Sequence, residues 1–83
     1  MLKILIVEDD SQLAVTLKYL VEDNPRYRVM AIAEDADSAI AAAEAHKPDL
    51  VLLDLHLAHG TTGFSVAVRL NDIGVACLFV NTL

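Results

Sequence analysis

Four short apolar runs punctuate the chain, at residues 4–7, 29–33, 50–55 and 75–80. Each is rich in Val, Ile, Leu or Ala, and none alternates with polar positions, the pattern of strands covered on both faces of a parallel sheet. Three segments with helical signals lie between them. In residues 11–22, Leu13, Leu17, Leu20 and Val21 recur at helical spacing, Asp10 or Ser11 can cap the start, and Asn24-Pro25 ends the run. Residues 36–46 are dominated by alanine, with Asp35 or Asp37 as cap and Lys47-Pro48 as stop; a smooth Ala face lets a helix sit close to a sheet. Residues 63–71 place Phe64, Ala67, Val68 and Leu70 on an expected apolar side, with Thr62 as cap and Gly74 after the end. Strands alternating with helices in this order predict an α/β fold whose parallel strands are joined by right-handed crossovers.

Composition narrows the class. Eighty-three residues make one domain, spanning residues 1–83, and a chain 55% hydrophobic and 22% charged is not disordered. Six Lys+Arg against twelve Asp+Glu give a net charge of −6, which repels phosphate backbones and anionic lipid, so neither nucleic acid nor membrane is an expected partner. The first apolar run meets Glu8-Asp9-Asp10 at once, too soon for a signal peptide, and no run approaches the about 18 residues of a membrane span. The expected compartment is the cytoplasm. The lone Cys77, in an apolar run, reads as a buried and inert thiol.

In an open parallel sheet, chemistry gathers at the carboxyl ends of the strands. Glu8-Asp9-Asp10 follows the first strand, Asp54 ends the third, and Asn81-Thr82 follows the fourth. A strand order of 2-1-3-4 makes the first and third strands neighbours and brings Glu8, Asp9 and Asp54 to one edge. Three carboxylates in one cleft repel one another unless a cation joins them. Hard oxygen donors select Mg²⁺ or Ca²⁺, and Mg²⁺ in particular combines one or two carboxylates with water and a phosphate. A carboxylate beside Mg²⁺ is also a competent acceptor of a phosphoryl group. Asp54, His56 and His59 form a second constellation, D-x-H-x-x-H, with transition-metal ligand types, but a strand end and a loop do not obviously make its histidines converge.

At Lys3-Ile4-Leu5-Ile6-Val7-Glu8-Asp9-Asp10 and at Lys47-Pro48-Asp49-Leu50-Val51-Leu52-Leu53-Asp54-Leu55-His56-Leu57, the sequence resembles the response-regulator receiver domain of two-component signalling. The resemblance implies a flavodoxin-like three-layer fold with strand order 2-1-3-4. It implies a signalling phosphoacceptor rather than an enzyme: Asp54 receives a phosphoryl group from a histidine kinase or phosphotransfer protein. It further implies that Asp9 ligates Mg²⁺ directly, Glu8 acts mostly through water, and the His56 backbone carbonyl is another ligand.

The chain departs from the family pattern in three places. Ala58 stands where receivers usually carry proline, in a loop that looks one residue long. Asn81, followed by Thr82, occupies the place of the family's switch hydroxyl. The chain stops at Leu83, so the expected fourth helix, fifth strand and fifth helix, with the family's lysine, are missing, and residues 1–83 read as the N-terminal portion of a receiver. These departures motivate a competing expectation, an interaction module without an efficient phospho-switch that self-associates through the exposed edge of its fourth strand.

Overall fold

In a computed structural model that describes residues 1–55 and 63–80, the apolar runs form four strands and the intervening segments three helices. In chain order these are β1 (Leu2–Val7), α1 (Ser11–Glu22), β2 (Tyr27–Ala33), α2 (Ala36–His46), β3 (Leu50–Asp54), α3 (Gly63–Asp72) and β4 (Cys77–Val80). All strand pairs are parallel and the sheet order is β2-β1-β3-β4, as the sequence predicts. The expected cap at Thr62 and the switch positions Asn81 and Thr82 lie outside the described residues, as do His56, Ala58 and His59.

Local chemistry explains where the helices begin and end. The Asp10 carboxylate accepts the Gln12 and Leu13 N–H groups at 3.0 and 3.1 Å, so Asp10 rather than Ser11 caps α1. Asp35 caps α2 through a reciprocal box: its Oδ1 accepts the Ser38 N–H at 2.8 Å, and Ser38 Oγ accepts the Asp35 N–H at 3.2 Å. The C-terminus of α2 closes on Lys47, in a left-handed conformation with φ of 49°, just before Pro48.

Side chains alternate across the sheet and divide the core in two. Leu5, Val7, Val51 and Leu53 pack with Ala33 against Ala39 and Ala43 of α2 and Val66 and Leu70 of α3. Ile4 and Ile6 face the other way, and Ala14 of α1 is buried with them. One irregularity tunes this packing. The register runs Ile4↔Val29 and then Leu5↔Ala31, leaving Met30 as an extra residue in β2. Without that bulge Met30 and Ile32 would stand beside Leu5 and Val7; with it the small Ala31 and Ala33 do, and the alanine face of α2 closes onto them.

Two expected helix faces are corrected. In α3 the buried stripe is Gly63, Val66 and Leu70, while Phe64 and Val68 are 64% and 63% exposed. Phe64 turns toward β4, where its ring centroid lies 5.0 Å from that of Phe79. In α1 the fully buried residue is Ala14, Leu13, Leu17 and Val21 are half-buried, and Leu20 stands exposed. A spacing of apolar residues identified the helices but not which side of the apolar arc meets the sheet.

Leu5, fully buried between β2 and β3, should lose about 2–5 kcal/mol on substitution by alanine. Asp35→Ala, which removes only a cap, should lose about 1 kcal/mol. Urea unfolding followed by circular dichroism checks both values and their order.

Candidate functional site

The site follows from strand register. β1 and β3 pair as Ile6↔Leu52 and Val7↔Leu53, and the next step of the same register sets Glu8 beside Asp54. Adjacent strands lie about 4.8 Å apart, close enough for the two carboxyl groups to meet. Carboxylate oxygens of Glu8, Asp9 and Asp54 all fall within 4.8 Å of one another. The three residues that the sequence nominates are thus brought together at the carboxyl edge of the sheet.

The acidic run after β1 divides its labour. Glu8 is 3% exposed and anchored by its backbone, whose N–H donates to the Ala33 carbonyl at 2.8 Å. Asp9 is exposed, and Asp10 turns away to cap α1. Asp54 is 5% exposed at the end of β3. The pair on the central strands is therefore buried, and Asp9 opens the group to solvent.

Glu8 carries the electrostatic tension. Its Oε2 accepts the Asp10 N–H at 3.1 Å, while its buried Oε1 has no hydrogen-bond partner. Burial is the main cause that pushes the Glu8 carboxyl up to about 7, against the lowering effect of the Asp10 N–H; contacts with the Asp9 and Asp54 side chains and the charge of Asp54 push it further up. A buried acceptor without a donor is costly, and either a proton or a cation relieves it. Three hard oxygen donors, one of them orphaned and buried, fit a small divalent cation such as Mg²⁺.

A cleft of about 270 Å³ adjoins the group, lined by Glu8, Asp9, Ser11, Ile32, Ala33, Glu34 and Ser38 between the carboxyl ends of β1 and β2. The N-terminus of α1 opens beside it, with its Gln12 and Leu13 N–H groups already held by the Asp10 carboxylate. Gly63, at the start of α3, packs against the backbone of Asp54 and Leu55, a contact that sequence reasoning missed. The Gly63 position was visible only as a helix entry; its closeness to β3 depends on how α3 docks. Cys77 is half-buried and burial raises its thiol pKa, in keeping with an inert side chain. Among the described residues no helix is long and apolar enough to cross a membrane.

Comparison with known proteins agrees with this geometry. The family described as the response regulator receiver domain matches residues 4–80. The transcriptional regulatory protein YdfI of Bacillus subtilis is 37% identical over 55 residues, 66% of this chain and 26% of the relative. A protein-glutamate methylesterase/protein-glutamine glutaminase of Syntrophus aciditrophicus is 31% identical over 72 residues, 87% of this chain and 20% of the relative. The chain therefore spans about a fifth to a quarter of these relatives. Among solved structures, the receiver domain of a modulated diguanylate cyclase from Desulfovibrio desulfuricans superposes with a TM-score of 0.88 at 28% identity, covering 99% of this chain and 66% of that one. The receiver domain of PhyR from Erythrobacter litoralis gives 0.85 at 28% identity, covering 96% and 62%. With the family match running almost end to end, and a flavodoxin-like sheet carrying its acidic group at the expected edge, the chain belongs to the response regulator receiver domain family of two-component signalling.

Proposed function

We propose that this chain is a phosphoacceptor module of a two-component phosphorelay, that Asp54 is the residue phosphorylated, and that Glu8, Asp9 and Asp54 hold Mg²⁺. The observation that carries the reading is the convergence of three carboxylates within 4.8 Å, with a buried and unpartnered Glu8 oxygen among them. A Mg²⁺ ion held there offsets the carboxylate charge and neutralises oxygens of an incoming phosphoryl group. The His56 backbone carbonyl is the further oxygen ligand that the family resemblance suggests.

The chain's own part in the transfer is nucleophilic and positional. A carboxylate oxygen of Asp54 attacks the phosphorus of the donor in line, an O–P bond forms, and the donor's bond to phosphorus breaks, its electron pair leaving with the donor. The donor is a phosphohistidine of a kinase or phosphotransfer protein. The product is an acyl phosphate on Asp54, and the activity is that of a signalling module rather than of a turnover enzyme. Transfer from such a donor takes place in the cytoplasm.

A second reading has its own observation. Among the described residues β4 has a strand on one side only, and its sequence Cys77-Leu78-Phe79-Val80 bears no charge or proline to guard the other. Leu78 is 55% exposed, and on its side of the sheet a cleft of about 250 Å³ is lined by Leu2, Ile4, Val21, Tyr27, Leu50, Leu52 and Leu78. These features support self-association of the 83-residue chain through the β4 edge, as in an interaction module.

Three outcomes are expected. Incubation with Mg²⁺ and a small acyl phosphate should add one phosphoryl group by intact mass, and Asp54→Asn should abolish it; labelling that survives this change refutes the role of Asp54. The raised Glu8 pKa fixes the sign of a second effect. A carboxyl raised from 4.5 to about 7 in the folded chain stabilises below its unfolded value and loses that contribution as pH rises through about 7. Mg²⁺ must displace the Glu8 proton, so it should raise the melting temperature more at about pH 8 than at about pH 5.5, and Glu8→Gln should shrink the difference. Equal shifts at both pH values would contradict a cation held by Glu8. Finally, sedimentation velocity over increasing concentration should show a dimer or larger species that a Leu78→Lys substitution reduces; a clean monomer throughout removes the second reading.

A further inference from the structure

Gly63 begins the buried stripe of α3 and continues it at helical spacing through Val66 and Leu70. Its N–H donates to the Leu55 carbonyl at 2.9 Å, which pins the helix entry to the end of β3. A Cβ built on Gly63 would overlap the Asp54 carbonyl oxygen. It would also stand 2.9 Å from the Leu55 Cα and 3.1 Å from the Asp54 carbonyl carbon. All three obstructing atoms are backbone, so no rotamer change can clear the overlap.

Neither element has an easy retreat. α3 is held by Val66 and Leu70, both fully buried against a core that includes Val51 and Leu53. β3 is held on both sides, by Val7↔Leu53 from β1 and by Leu53↔Phe79 and Asp54↔Val80 from β4. The Asp54–Leu55 peptide lies where β3 leaves these pairings, and it is the backbone on which a methyl group at Gly63 would press. Displacement of that peptide would swing the Asp54 carboxyl relative to Glu8 and Asp9, whose backbones follow the end of β1.

We propose that Gly63 is a positioning residue for phosphoryl transfer: its missing side chain lets α3 press on the backbone of β3 and so fixes the Asp54 carboxyl in line with the incoming phosphorus. The inference rests on Asp54 as phosphoacceptor. Misplacement of a reacting group by about 1 Å costs up to about a hundredfold in rate.

The test compares the 83-residue chain with Gly63→Ala and Gly74→Ala. Gly74 is a control for loosening of the fold: it sits at φ +79°, where alanine is strained, yet nothing lies within 4 Å of a Cβ there. Phosphorylation by a small acyl phosphate is followed by intact mass at saturating Mg²⁺, well below the melting point of each variant. Gly63→Ala should melt cooperatively and lose at least about tenfold in maximal rate, with the donor concentration for half-maximal rate unchanged, whereas Gly74→Ala should keep the parent rate. A folded Gly63→Ala at the parent rate overturns the proposal. So does an equal loss in Gly74→Ala, which would report loosening alone, and so does a Gly63→Ala chain that no longer folds, which would make the glycine a packing residue. Failure of the underlying reading is visible separately, because the parent chain would then take up no phosphoryl group.

Discussion

The parallel pairing of β1 with β3 is the constraint on which the rest of the molecule depends. These two strands form the centre of the sheet, and Leu5, Val7, Val51 and Leu53 are closed over by α2 and α3. Because the register is Val7↔Leu53, the first residue past the paired segment of β1 and the last residue of β3 are laterally adjacent, and both are acidic. A slip of one residue would turn the apolar set to the wrong face and separate Glu8 from Asp54 in the same motion. The hydrophobic core and the acidic group are thus two consequences of one alignment, and the stability of the first holds the second in place.

Holding it there has an electrostatic cost. Water would ordinarily solvate carboxylates at a strand end, but Glu8 and Asp54 are almost wholly covered. The backbone compensates in part: the Asp10 N–H serves one Glu8 oxygen, and Asp10 then spends its own carboxylate on α1. The second Glu8 oxygen is left without a donor. This is the kind of local inconsistency between burial and satisfaction that proteins tolerate where a ligand completes the arrangement. The exposed Asp9 supplies the complementary property, a carboxylate in contact with both the buried pair and solvent.

Much of this was legible in the chain itself. Unbroken apolar runs and cap candidates at Asp10 or Ser11 and at Asp35 or Asp37 give the elements, and the alternation of strands and helices gives the parallel sheet, because those signals are local and few topologies satisfy them. The meeting of Glu8, Asp9 and Asp54 was legible for a related reason: strand-end position is a one-dimensional property once neighbouring strands are known. Contacts set by how whole elements dock were not legible. Phe64 and Val68 looked like core because they are apolar and helical, yet the helix presents Gly63, Val66 and Leu70 instead. The bulge at Met30 left no mark in a run that is apolar throughout, although it decides which residues α2 meets. Gly63 showed its type but not its neighbour, since the approach of α3 to β3 is a tertiary distance.

Those docking distances also explain why the two sides of the site differ in character. On the β1 side, Glu8 is fixed by its own strand ladder and by the bond to Ala33, so its placement is set by the sheet. On the β3 side, Asp54 closes a strand whose outer neighbour, β4, carries the half-exposed Phe79 and the exposed Leu78. The restraint there comes from ladder pairing on both sides, through Val7↔Leu53 and Asp54↔Val80, and from α3 through backbone contact at Gly63. Asp54 thus sits where the sheet and one helix bear on the same stretch of backbone. Of the two buried acids, Asp54 is therefore the one that a change at α3 or β4 reaches directly, through the backbone at Gly63 or the pairing with Val80.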